Sequence, residues 1–110
     1  MDESLRIEHS WSKALFGNQH MLHIANSIAV GSAAFTAPEL ERSTGLSASS
    51  VHRLLSVLCS VGLVSRVPRL AGERIQRYHR ERQPFWMAVS QIRERARGTA
   101  YAPHVRGGNA

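Results

Sequence analysis

Apolar residues recur at a helical period in three stretches of the chain. Met21, Leu22, Ile24, Ala25, Ile28 and Ala29 keep the i, i+3, i+4, i+7 rhythm of one buried face. This predicts a helix over 19–30 with Asn18 as its cap, broken by Gly31-Ser32. Val51, Leu54, Leu55, Leu58 and Val61 repeat the rhythm, predicting a helix over 48–61 that Ser47 caps and Gly62 stops. Phe85, Ala88, Val89, Ile92 and Ala96, with Trp86 and Met87 beside them, predict a last helix over 84–97 ended by Gly98. A shorter helix is expected from the Ser10 cap to Phe16, with Trp11, Leu15 and Phe16 as its apolar side and Gly17 as its end. Residues 1–9 lack clear periodicity and are expected to be a flexible N-terminus. Residues 98–110 are small and polar and are expected to be a disordered tail.

Between these stretches the local chemistry is more explicit. Thr36-Ala37-Pro38-Glu39 places a cap residue, a first-turn proline and a glutamate three positions after the cap, which together make a capping box. A short helix follows to Thr44, and Gly45 supplies a left-handed turn. After Gly62 the period shortens. Leu63-Val64-Ser65-Arg66-Val67 reads as a strand, Pro68 as its end and Ala71-Gly72 as a hairpin tip. Arg74 to His79 alternates and is expected to return as the second strand. The fold class is therefore mainly α with a small β-hairpin, in one domain over 10–97.

Charge changes the picture. The 110 residues carry 14 basic and eight acidic side chains, a net charge of +6. Residues 1–41 hold two bases and five acids, whereas residues 42–110 hold twelve arginines and three acids. Seven arginines fall within 53–82, against two acids. Such polarisation points to a polyanionic partner, and the planar guanidinium suits phosphates and guanine edges. No apolar run approaches the ~20 residues that span a bilayer, so no membrane partner is expected. The acidic N-terminus has no apolar signal stretch after it, so a cytoplasmic location is expected. The single cysteine, Cys59, cannot form an internal disulfide and reads as a small buried hydrophobe.

Two short helices meeting at Gly45-Leu46 make a helix-turn-helix. Leu40 anchors the first helix, Leu46 fills the gap between the two, and Val51 and Leu54 pin the second. The free face of the second helix then carries Ser49, Ser50, His52, Arg53 and Ser56. Small polar residues let a helix approach a groove, and serine and arginine reach phosphates and base edges. Ser47 and the first amides of that helix offer a phosphate a further contact.

The stretch Phe35 to Arg80 resembles the winged helix-turn-helix of bacterial transcriptional regulators of the ArsR, MarR and IclR types. The resemblance rests on Pro38-Glu39-Leu40, Thr44-Gly45-Leu46-Ser47, Val51-His52-Arg53-Leu54-Leu55 and Gly62-Leu63-Val64. It covers 46 of the 110 residues. It implies that the second helix enters the major groove of double-stranded DNA while the hairpin, or wing, lies on the backbone or in the minor groove. By similarity Ser47, Ser49, Ser50, His52 and Arg53 match the recognition helix, and Arg69, Arg74 and Arg77 match the wing. One departure is Glu41, where the family usually has a small alanine; it must point outward or splay the two helices. Regulators of this size pair through terminal helices. The resemblance thus implies a homodimer, with Trp11, Phe16, Phe85, Trp86, Val89 and Ile92 as candidate interface, and a nucleoid-associated location.

Other readings are weaker. His20 and His23 lie three apart on one helix but lack further ligands nearby, so no metal and no cofactor is expected. There is no Gly-rich phosphate loop, no GxSxG, no HExxH and no carboxylate pair on one face, so an enzyme is not expected. The competing reading is a winged-helix module that binds another protein, with the serine-rich face left in solvent and the Phe85/Trp86 helix against a different chain.

Overall fold

A computed structural model describes residues 2–101. Its elements run α1 (Glu3–Phe16), α2 (Met21–Val30), β1 (Ala34–Thr36), α3 (Ala37–Thr44), α4 (Ala48–Ser60), β2 (Val64–Arg66), β3 (Arg77–Arg80) and α5 (Phe85–Tyr101). The three strands form one antiparallel sheet in the order β1-β3-β2.

The first helix is longer than its apolar pattern predicts. Residues 3–9, expected to be flexible, are its first turns. Asp2 caps it, its Oδ1 accepting from the Ser4 amide at 3.1 Å. The stripe buried on α1 is polar: Ser4, Glu8 and Ser12, each four residues apart. A stripe of that kind gives no hydrophobic periodicity, and only the neighbouring helices make its burial tolerable. Ser12 Oγ accepts from the Leu22 amide at 2.9 Å and donates to the Asn18 carbonyl at 2.6 Å, so α1 helps to cap the start of α2. Asn18 Oδ1 accepts from the His20 amide at 2.7 Å, and the helix proper begins at Met21 rather than at residue 19.

The central part follows its local chemistry. Thr36 and Glu39 close both bonds of the capping box, Gly45 has φ 75° at the end of α3, and Ser47 caps α4. Val51, Leu54, Leu55 and Leu58 are buried with Leu22, Ile24, Ile28 and Leu40 in one core. Val61, expected on the buried face of α4, lies past its last residue and is exposed.

Strand β1 has no sequence forecast, because three residues are too few to show alternation. Its partner is 43 residues away: Phe35 pairs with Tyr78, and their rings stack with centroids 5.8 Å apart. The second hairpin strand is also shorter than expected. It starts at Arg77, not Arg74. The Val67 amide donates to the Arg77 carbonyl at 2.9 Å, after which Pro68 has no N–H to continue the ladder. Side chains bridge the arms beyond that point, with Gln76 Nε2 donating to the Val67 carbonyl at 2.7 Å. The tip falls where expected, at a turn from Leu70 to Glu73 with Gly72 at φ 87°.

The last helix does not end at Gly98 but continues to Tyr101, so residues 98–101 are not part of a tail. Ala96, fully buried, and Arg97, within reach of Glu8, hold the turn before Gly98 against α1. The rest of the expected tail, 102–110, lies outside the described residues.

Candidate nucleic-acid interface

Helix α4 is two-faced because its apolar residues recur every three to four positions. One side is buried through Val51, Leu54, Leu55 and Leu58. The other displays Ser49, His52, Arg53 and Ser56 to solvent, and Ser50 lies half-buried at the edge. Ser47 caps the helix, as its position predicts. Its Oγ accepts from the Ser50 amide at 3.2 Å and bonds the Ser50 hydroxyl at 3.1 Å. Ser47 and Ser50 thus hold the first turn, and Ser49 Oγ also lies 3.4 Å from Ser47 Oγ, which leaves His52, Arg53 and Ser56 as the polar set without such a bond. Sequence reasoning passed over Val57, which is exposed on the same helix.

The arginines of the hairpin divide by task. Arg69 and Arg74 are exposed on either side of the tip, and Arg69 Nη1 donates to the Arg74 carbonyl at 3.3 Å. Arg77, also exposed, is ion-paired with Glu73. The Leu70 amide and then the Arg77 guanidinium hold the Glu73 carboxyl below its ordinary pKa. Arg80 is spent on structure: its Nη1 donates to the carbonyls of Ile28, Ala29 and Gly31 at 2.7, 3.3 and 2.9 Å, closing the end of α2. Arg66 and Arg82 are exposed at the base of the hairpin.

His20 and His23 turn to different partners. His23 Nε2 lies 3.0 Å from the Thr44 carbonyl, at the turn of the helix-turn-helix. His20 instead packs edge-on against His9, with ring centroids 5.3 Å apart. Burial, then the charges of His9, His23 and Arg53, lower the His20 pKa from 6.5. Cys59, expected to be buried, is half-buried against the core and lines an open cleft with Arg66 and His79.

Two of the six expected interface residues are absorbed by the chain's own interior. Trp86 and Val89 are buried in the core, and Trp86 Nε1 donates to the Glu81 carbonyl at 2.8 Å. Phe16 and Phe85 meet edge-to-face at 6.3 Å and, like Trp11 and Ile92, stay half-buried.

A capped pair of helices, a three-stranded sheet and an arginine-bearing hairpin now stand in sequence. The chain has the winged helix-turn-helix fold. Residues 26–68 match the family model of the IclR helix-turn-helix domain. The whole winged helix is similar to the reduced form of MarR from E. coli, with a TM-score of 0.66 and 19% identity over 97% of this chain and 77% of that one. A structure described as the Multiple Antibiotic Resistance Repressor, MarR, superposes with a TM-score of 0.71 at 16% identity, covering 94% of this chain and 76% of that one. A mutant MarR from E. coli complexed with operator DNA gives 0.62 at 18%, covering 97% and 75%. No curated protein matches the chain.

Proposed function

We infer that this winged helix is a transcriptional regulator that binds double-stranded DNA sequence-specifically as a homodimer. The observation that carries the reading is the outer face of α4. It is held rigid by its cap and its buried stripe, and it offers Ser49, His52, Arg53 and Ser56 with no apolar cover over them. A matching helix-turn-helix over 26–68 and a structural neighbour bound to operator DNA support it. Helix α4 enters the major groove, where Arg53 and His52 face base edges and the serines face phosphates. Arg69, Arg74 and Arg77 lie on the backbone beside it. The protein acts by occupying DNA, not as an enzyme, and resides in the cytoplasm with the nucleoid.

Two copies pair through α1 and α5. Trp11, Phe16, Phe85 and Ile92 keep part of their surface free, and Leu15 is 57% exposed. Pairing covers this surface and sets two α4 helices about one DNA turn apart, so the site read is pseudo-palindromic.

Selection of bound duplexes from random DNA tests the reading, with affinity followed against salt and mass followed by light scattering. A preferred, two-fold symmetric sequence is expected, and log K should fall with log salt at roughly −0.9 per phosphate neutralised. Equal affinity for every duplex, or no duplex binding, overturns it.

A further inference from the structure

Where α1 meets the start of α2, His20 stands edge-on to His9, with His23 one turn further along α2. The two nitrogens of the His20 ring differ. Nδ1 is buried and, among the described residues, has no hydrogen-bond partner. Nε2 is on the exposed side, 3.3 Å from Nε2 of Gln19. An amide nitrogen only donates, so His20 Nε2 accepts and the neutral ring carries its proton on Nδ1. Nε2 is therefore the nitrogen that can gain a proton. Burial, then the charges of His9 from α1, His23 from α2 and Arg53 from α4, oppose a charge on the ring. The buried carboxylate of Glu8 is engaged by Arg93 and faces His23 instead. The ring is thus neutral at pH 7 in the free chain, and an anion is the group that reverses this.

We propose that His20 and Gln19, on the turn between α1 and α2, form a phosphate site at the edge of the DNA interface, where the ring takes up a proton as the duplex binds. This deepens the DNA-binding reading and rests on it, because Arg53, whose charge acts on the ring, is there read as facing the duplex. A phosphate beside Arg53 supplies the negative charge that the cluster lacks. The exposed Gln19 amide turns from His20 Nε2 to one phosphate oxygen, and Nε2 binds a proton from solvent and donates to another. Nδ1 keeps its own proton throughout. His9 backs the ring edge-on, so little freedom is lost on binding. The contact lies outside both α4 and the hairpin. The ring binds a proton more readily in the complex than in the free chain. The gain in affinity is therefore absent well above both pKa values and grows as pH falls toward the lower one.

The test follows the affinity of the full chain for the duplex selected for the wild type, at fixed salt, between about pH 7.5 and about pH 6. Wild-type affinity should rise about fivefold as pH falls over that range. His20→Gln should flatten the profile. Gln19→Glu sets a carboxylate beside Nε2 in the free chain, so the ring should charge without DNA and the profile should flatten again. His79→Gln, on the exposed side of β3, should keep the rise. Far-ultraviolet circular dichroism verifies that the variants fold. The wild-type ring is also followed directly by NMR, and it should titrate below 6.5 in the free chain and at a higher pH in the complex. Salt-dependent binding with no pH effect in the wild type, or a rise that survives in His20→Gln, would overturn the proposal while leaving DNA binding in place. A ring that titrates alike in the free and bound chain would do the same. No salt-dependent duplex binding by the wild type would overturn both readings together.

Discussion

Arg93 on α5 donates through Nε to Glu8 Oε1 on α1 at 3.2 Å, and Arg97 Nε lies 3.6 Å from the same oxygen. The other oxygen, Oε2, faces His23 Nδ1 of α2 at 3.9 Å. Glu8 is 0% exposed, so a carboxylate buried between helices joins the terminal pair to the helix that contacts the turn at Thr44. Desolvating it is tolerable only because cations surround it.

Glu8→Ala should therefore destabilise the fold by about 2–3 kcal/mol. That is below the ~3–5 kcal/mol of a fully buried pair, because both arginine partners reach water. Urea denaturation measures it, and a change under ~0.5 kcal/mol would show that the pair contributes little.

Ser12→Ala removes the acceptor for the Leu22 amide and the donor to the Asn18 carbonyl together. A loss of about 1–3 kcal/mol is expected from unsatisfied buried groups. Ser10→Ala, on the exposed side of the same helix, is the control and should be near neutral.

Arg80→Lys keeps the charge but loses the rigid planar guanidinium whose Nη1 is set among three carbonyls at the end of α2. Stability should fall by about 1–2 kcal/mol. If Lys substitutes without cost, Arg80 acts through charge alone.

His20 makes stability depend on pH. Its folded pKa lies below 6.5, first because burial disfavours the charged ring and then because His9, His23 and Arg53 repel it. The stability it contributes is present above the unfolded value and is lost as pH falls through the folded one. Denaturation midpoints should drop on acidification below 6.5, and His20→Gln should flatten that part of the profile. An unchanged slope in the variant would assign the effect to another group.

On DNA, Arg53→Ala should cost about 1–3 kcal/mol on the selected site and relax preference at one position. Arg74→Ala should weaken all duplexes alike and reduce the salt slope by about 1. Fluorescence anisotropy on matched and scrambled duplexes distinguishes the two, and identical behaviour of both variants would remove Arg53 from base readout.

Local rules determined the middle of this molecule. The capping box at Thr36 and Glu39, the left-handed Gly45 and the two-faced pattern of α4 act over a few residues, so they were legible without any partner. The same reasoning found the exposed residues Ser49, His52, Arg53 and Ser56 and the basic hairpin. Tertiary structure decided what depends on distant neighbours. Three residues at Ala34–Thr36 become a strand only beside β3. The polar stripe Ser4, Glu8 and Ser12 becomes an inner face only because α2 and α5 supply an amide and two guanidinium groups to satisfy it. Trp86 and Val89 could belong to a core or to an interface on pattern alone, and the packing of α5 against α1 and α2 placed them in the core. Hydrophobic periodicity reports how apolar side chains are arranged on one element, and it carries no information about which polar groups a neighbouring element will pair.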